Sequence, residues 1–271
     1  MTEQQNVTPA EHLAQVQARY DDSRLGEVVK AAVKHLHAFV EEVGLTRDEW
    51  FTGIDFLTRT GQMCSGSRQE FILLSDTLGV SMLVEMINHA AAAGSTEPTV
   101  FGPFHVEGAV HRAAGESIVV DPTDTPQITF SGRVLDLDGA AIAGATLDVW
   151  QTADNGFYDV QDPDQTPGNM RGVFTTDSEG RYAFRTVPPI DYTVPSDGPA
   201  GDLLLLTGRH PWRPAHTHMV VAADGYQSVI THLFDSHSNY LDSDAVFGVR
   251  PSLIVDMAAP VVRYDFVLDR T

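Results

Sequence analysis

The strongest constraint on the fold is a change of period partway along the chain. Val28 to Gly44 carries apolar residues at Val29, Val33, Leu36, Val40 and Val43, a spacing of three or four that lines one face of a helix. Gly44 is a natural stop. Thr46 with Glu49 forms a capping pattern that opens a second helix through Trp50, Ile54 and Leu57. Ser67 with Glu70 opens a third, towards Ser75, and residues 81–93 supply a fourth before Gly94–Pro98 breaks the pattern. From Ile128 onward the chain shifts to short β-rich runs: ITFSGRVLD, ATLDVWQT, YAFRTV, HTHMVVA, SVITHLF and YDFVL. Turn signals at Asp138-Gly139, Asn155-Gly156, Glu179-Gly180 and Asp224-Gly225 separate them. Helices first and strands afterwards predict an α+β protein: a mainly β-sandwich domain over residues 99–271 behind a helical N-terminal domain over residues 1–98. Tyr192 to Trp212, rich in Pro, Gly and Asp, is expected to form a long loop, a common home for functional residues.

Charge narrows the set of partners. Lys and Arg number 17 against 37 Asp and Glu, a formal net charge of -20. A surface this acidic repels phosphate backbones and anionic lipid heads, so nucleic acid and membranes are poor partners and a small molecule is favoured. No apolar run is long enough to span a bilayer. The N-terminus lacks a basic segment followed by an apolar stretch, and the single Cys64 suits a reducing compartment. A cytoplasmic protein with no Cys-based zinc site is expected.

The chemistry concentrates in Arg213-Pro214-Ala215-His216-Thr217-His218. On a strand, residues two apart share a face, so both imidazoles project to one side, where they suit iron, copper, zinc or nickel. Two tyrosines precede them: Tyr158, 34 residues before Tyr192, which in turn stands 24 residues before His216. Each tyrosine alone fits a packed aromatic with a bonded hydroxyl.

Taken together, two tyrosines followed by Arg-Pro-x-His-x-His resemble the intradiol ring-cleavage dioxygenases. GRVLDLDGAAIAGATLDVWQTADNGFYD, residues 132–159, resembles that family's long signature, and the helical N-terminal part, the VFGPF segment and the C-terminal strands also fit. The resemblance implies one Fe(3+) per subunit, held by Tyr158, Tyr192, His216 and His218. Hard ferric iron suits phenolate oxygen, and two tyrosinates, two neutral imidazoles and a hydroxide make a neutral centre that tolerates a dry pocket. It further implies that a catechol binds through both oxygens, that Tyr192 leaves the metal to take a substrate proton, and that the ring opens with O2 between the two hydroxyl-bearing carbons. Arg213 is expected to stabilise negative charge on the substrate. His232 is expected to stand behind the ligands as a polar group and not as a fifth ligand.

Within the family, Val100-Phe101-Gly102-Pro103-Phe104 and residues 231–255 resemble the branch that opens hydroxyquinol (benzene-1,2,4-triol) to 3-hydroxy-cis,cis-muconate. By that resemblance Leu73, Asp76, Val194, Pro195 and Val246 join Val100–Phe104 and Arg213 around the substrate, with Asp76 accepting a hydrogen bond from the third hydroxyl. Catechol or chlorocatechol cleavage is the alternative within the family. A non-enzymatic β-sandwich binding module and a zinc hydrolase are alternatives outside it. The resemblance also implies a homodimer built on the N-terminal helices, with a lipid between subunits.

Overall fold

The computed structural model describes residues 7–66, 68–89 and 92–271. The chain packs as two compact units, one ending at Thr58 and one starting at Arg59. The expected division at 98/99 lies between the last N-terminal helix, which ends at Asn88, and the first strand, which starts at Ile128; the boundary of packing falls inside a helix.

The first unit holds α1 (Pro9–Gln17), α2 (Arg24–Val43) and most of α3 (Arg47–Gln62). Helix α1 has its own start signal, a reciprocal cap between Thr8 and Glu11 with Pro9 in the first turn, and it lies outside the helices read from periodicity. Gly44 closes α2 in the left-handed conformation at φ 59°, where a side chain would be strained. Thr46 and Glu49 cap α3 as expected, with Thr46 N–H and Oγ1–H both donating to Glu49 Oε2, at 2.9 and 2.7 Å. Leu36, Phe39, Val40 and Val43 of α2 and Trp50, Phe51, Ile54 and Leu57 of α3 are exposed.

The second unit opens with α4 (Glu70–Thr77) and α5 (Val80–Asn88). Ser67, the expected cap of α4, lies outside the described residues. Helix α5 ends at Asn88, short of residue 93, and residues 90–91 also lie outside the described set. Then come β1 (Ile128–Asp136), β2 (Thr146–Trp150), β3 (Arg171–Thr175), β4 (Arg181–Thr186) and β5 (Tyr192–Thr193). Helix α6 (Pro199–Leu206), β6 (Trp212–Arg213), β7 (His216–Ala222), β8 (Val229–Asp235), β9 (Ile254–Val255), β10 (Val261–Arg263) and β11 (Phe266–Leu268) complete it. The segment 192–212, expected as a loop, instead contains two short strands and α6, because Pro199 starts a helix whose Ala200 and Leu204 find cover in the core.

Two sheets face each other. One is built on β1, with β4 antiparallel on one edge and β10 then β11 parallel on the other. The second runs β3-β2-β7-β8-β9. Alternate residues fill the space between them: Phe130, Phe184 and Phe266 from the first sheet, Leu147, Val149, Phe174, Met219, Val221 and Leu233 from the second. Phe130 and Phe184 stack at 4.9 Å, and Phe174 reaches Phe184 across the gap at 5.3 Å. Burying side chains of this size supplies about 1.5–3 kcal/mol each. Because Val149, Met219 and Leu233 face inward, Trp150, His218 and His232 face outward, and the sheet presents them in one row. No helix among the described residues is long and apolar enough to cross a membrane.

Candidate metal centre and substrate pocket

Register aligns the outward row. His218 of β7 pairs with Trp150 of β2 on one side and His232 of β8 on the other. The Trp150 indole lies against the His218 ring at 4.7 Å and 15° between planes. A second, two-stranded ribbon pairs Tyr192 of β5 with Arg213 of β6. Asp191 ties this ribbon to the sheet, since its Oδ1 accepts from Ala215 N–H at 2.8 Å and from Ser238 Oγ–H at 2.5 Å. Tyr158 arrives on the loop after β2. Its neighbour Asp159 forms a buried ion pair with Arg171 at 2.6 Å and accepts from Gly168 N–H at 2.7 Å. Gly156, at φ 83°, lets that loop pass so near the ribbon that a Cβ there would stand 3.6 Å from Tyr192 Cβ.

Four donor atoms close a ring. Tyr158 Oη is 2.8 Å from His218 Nε2 and 3.1 Å from Tyr192 Oη. His216 Nε2 is 3.1 Å from His218 Nε2 and 3.4 Å from Tyr192 Oη. Ligands about 2.0–2.2 Å from one metal ion stand about 2.8–3.6 Å from each other at angles between 90° and tetrahedral, so these edges match a shared ion. His216 Nδ1 is 2.6 Å from the carbonyl of Pro214, which only accepts; the hydrogen therefore sits on Nδ1, and Nε2 offers a bare lone pair to the ring. Burial, then the nearby Arg213 charge, holds His216 well below its ordinary pKa. His218 is lowered likewise by burial, then by His216. Both imidazoles are therefore neutral, the form that binds metals. Burial, then Tyr192, pushes the Tyr158 phenol well above its ordinary value. Only a cation at the ring centre would hold that oxygen ionised near neutrality. The donor set thus fits a metal ion of the kind that takes phenolate oxygen and imidazole nitrogen.

His232 lies within ligand reach of His216 and His218, but its Nε2 is already engaged, 2.6 Å from His218 Nδ1, and its Nδ1 is 2.9 Å from Thr99 Oγ1. It meets the nitrogen of His218 that faces away from the ring of donors.

Arg213 is 3 % exposed. Its NH1 group points to Tyr192 Oη at 3.4 Å and His216 Nε2 at 3.2 Å. Its Nε and NH2 groups donate to the two oxygens of buried Asp244 at 3.0 and 3.4 Å. Burial works against the charge, but Asp244 and then the tyrosine oxygens outweigh it and raise Arg213 above its ordinary value.

The VFGPF segment covers the row. Val100 is buried, and a Cβ on Gly102, at φ +75°, would lie 3.2 Å from His218 Cε1. Phe101 meets Trp150 edge-on at 5.9 Å, and Phe104 stacks on Tyr158 at 4.7 Å. Pro103, Phe104, Leu73 and Pro195 line a cleft of about 250 Å3, together with Arg68 and Gln161. Val194 is buried beside Pro195, its N–H bound to Pro211 O at 2.9 Å. Asp76 and Val246 belong to the Arg213 side. Asp76 senses Arg213 and Asp244, and burial, only partly offset by the Ser81 hydroxyl, raises it to about 6. Val246 N–H donates to Asp244 Oδ1 at 3.3 Å. Asp244, Thr99, Trp150 and Asp191 were not anticipated. Asp244 is 31 residues from Arg213, and no spacing rule links them.

The comparisons with known proteins agree with this geometry. Residues 100–270 match the family described as "Dioxygenase", and residues 22–96 match "Catechol dioxygenase N terminus". The chain belongs to the intradiol ring-cleavage dioxygenases. It is 48 % identical to a 6-chlorohydroxyquinol 1,2-dioxygenase of Cupriavidus pinatubonensis over 99 % of this chain and 98 % of that one. It is 49 % identical to a hydroxyquinol 1,2-dioxygenase of Rhizobium sp., over 87 % and 80 % of the two chains. A solved hydroxyquinol 1,2-dioxygenase from Pseudomonas putida superposes with a TM-score of 0.90 at 48 % identity, covering 97 % of this chain and 99 % of that one. The family implies a metal centre, an aromatic substrate and O2.

Proposed function

We propose that this protein is a hydroxyquinol 1,2-dioxygenase whose metal is Fe(3+), held by Tyr158, Tyr192, His216 and His218. One observation carries the reading: two phenol oxygens and two imidazole nitrogens meet in one buried ring, in a chain similar over almost its whole length to hydroxyquinol dioxygenases. Ferric iron, held by these four residues, would bind the hydroxyls of an aromatic diol and make the ring reactive towards O2. The reaction balances with no other reagent. One triol and one O2 give one dicarboxylic acid, which keeps every atom of both, and the two oxygen atoms become part of the new carboxylates.

The chain's own groups do the remainder. Tyr192, on a two-residue strand, would help hold the metal and could take a proton from the incoming hydroxyl, and Arg213 NH1, 3.4 Å from its oxygen, would stabilise the negative charge left on the substrate. His216 is oriented by Pro214 O, and His218 by handing Nδ1–H to His232. Leu73, Val100, Phe101, Gly102, Pro103, Phe104, Val194, Pro195 and Val246 wall the pocket and exclude water. Asp76 accepts a hydrogen bond from the third hydroxyl, which gives its buried carboxylate a partner besides the Ser81 hydroxyl. We assign the exposed apolar faces of α2 and α3 to a homodimer, with a lipid chain as a further occupant.

Oxygen uptake by the iron-loaded protein on hydroxyquinol, 6-chlorohydroxyquinol, catechol and 4-chlorocatechol tests the reading. The triols are expected to be consumed fastest, with one O2 per ring. Iron-loaded protein that consumes no oxygen with any of them defeats the proposal.

A further inference from the structure

Asp244 is 5 % exposed and lies on no strand, yet it grips Arg213, a cation that faces the donor ring. Arg213 offers Asp244 its Nε and NH2 groups, at 3.0 Å to Oδ1 and 3.4 Å to Oδ2. That edge-on fork fixes the plane of the guanidinium. NH1 is then the group left to reach Tyr192 Oη and His216 Nε2. The carboxylate cannot follow the arginine elsewhere, because Oδ1 also accepts Val246 N–H at 3.3 Å and Oδ2 accepts Gly248 N–H at 2.9 Å.

The loop that carries Asp244 is itself braced. Ala245 N–H donates to Trp212 O, beside Arg213, at 3.1 Å. Ala245 O accepts from Arg209 NH2 at 2.9 Å, and Arg209 NH1 donates to Thr77 O, next to Asp76, at 2.5 Å. Phe247 adds its ring face, 4.5 Å from the Arg209 guanidinium. At Gly248 a Cβ would come within 3.1 Å of Asp244 Oδ2 and 3.2 Å of Arg213 NH2. A glycine is what lets the chain close so near the pair.

We propose that Asp244 is a positioning residue for ring cleavage: it sets the angle at which Arg213 presents NH1 to the reacting oxygens, and Gly248 leaves room for that angle. The inference rests on the reading of Arg213 as the cation beside the substrate. A buried guanidinium without its carboxylate turns to other acceptors or admits water, and either outcome moves NH1 away from Tyr192 Oη and from oxygens bound beside it, although Asp244 makes no bond of its own to the four donors.

Asp244→Asn keeps the size and one acceptor oxygen but removes the charge. In iron-loaded protein, kcat on hydroxyquinol is expected to fall about 10–100-fold. The anaerobic dissociation constant for hydroxyquinol should stay within about threefold, because the fork holds no substrate atom. The visible tyrosine-to-iron absorption should persist. Arg213→Gln sets the scale, and the double variant Arg213→Gln with Asp244→Asn is expected to lose no more than Arg213→Gln alone. Gly248→Ala leaves both charges in place and crowds them, so kcat should fall in the same direction; it decides the matter if Asp244→Asn folds poorly or loses iron. Losses that multiply in the double variant, a loss confined to substrate binding, or unchanged kcat in Gly248→Ala overturn the proposal. Full activity of Arg213→Gln overturns it together with the role of Arg213. Inactivity of the unaltered iron-loaded protein instead removes the functional reading beneath both.

Discussion

Tyr192 stands directly opposite Arg213 on the two-residue ribbon β5–β6, with the phenol oxygen 3.4 Å from NH1 of its partner. A cross-strand pair keeps two side chains at nearly fixed separation. One member belongs to the donor ring and the other is the cation beside it. The fixed positive neighbour favours the ionised form of the phenol, the form that binds a metal.

The two tyrosines are expected to differ in what their loss does. Tyr192→Phe should lower kcat by about 100-fold or more while iron is retained by the other three donors, with its visible absorption shifted. Tyr158→Phe removes the oxygen that lies within 2.8–3.1 Å of two other donors, and should lower iron content as well as activity. Iron assay and absorption spectra on both variants separate the two effects.

Asp76 should cost the protein stability in return for substrate choice. Its carboxyl is raised from 3.8 to about 6, so the folded state holds the proton more tightly than the unfolded state. The stability that this gives is complete below pH 4 and is lost as pH rises through about 6. Asp76→Asn is therefore expected to be more stable than the unaltered protein at pH 7.5 by about 1–3 kcal/mol, with the gap closing towards pH 4. Urea titrations at the two pH values check this. The same variant should lose about 10-fold of its preference for hydroxyquinol over catechol; equal loss on both substrates would remove Asp76 from the third-hydroxyl site.

Gly102→Ala should disturb His218 from outside the ligand set. The added Cβ would lie 3.2 Å from His218 Cε1, on a backbone at φ +75°. A left-handed alanine costs about 1–2 kcal/mol, and the ring must also give way. Weaker iron retention during dialysis against a chelator is the expected result, together with a lower melting temperature.

His232 should matter through the proton it accepts. His232→Leu leaves His218 Nδ1 without its partner at 2.6 Å and is expected to weaken iron binding about 10–100-fold. His232→Gln, whose carbonyl oxygen accepts the same hydrogen, should recover most of the loss. Equilibrium iron competition on the two variants measures the difference.

Much of the local structure was legible because it depends on near neighbours. The caps at Thr46 and Gly44, the strand Ile128–Asp136 and the shared face of His216 and His218 each follow from residues within one or two turns or pleats. The resemblance carried by Tyr158, Tyr192 and the Arg-Pro-x-His-x-His run implies the four donors as one set from the chain alone. The 192–212 segment departs from the expected loop because Pro and Gly mark helix starts as readily as loops, and the burial of Leu204 that favours α6 is a tertiary event. The cap at Ser67 lies outside the described residues.

The sequence by itself determined the order of elements, the faces of the strands and the kinds of donor atom, since periodicity and side-chain chemistry are properties of the local chain. Only the tertiary structure decided which groups orient those donors. Asp244 on Arg213, His232 and Thr99 behind His218, and Asp191 between the ribbon and the sheet are bonds between segments 14 to 133 residues apart. Such partners are chosen by strand register and by how closely loops such as 244–248 can approach, and no spacing along the chain encodes a distance across it.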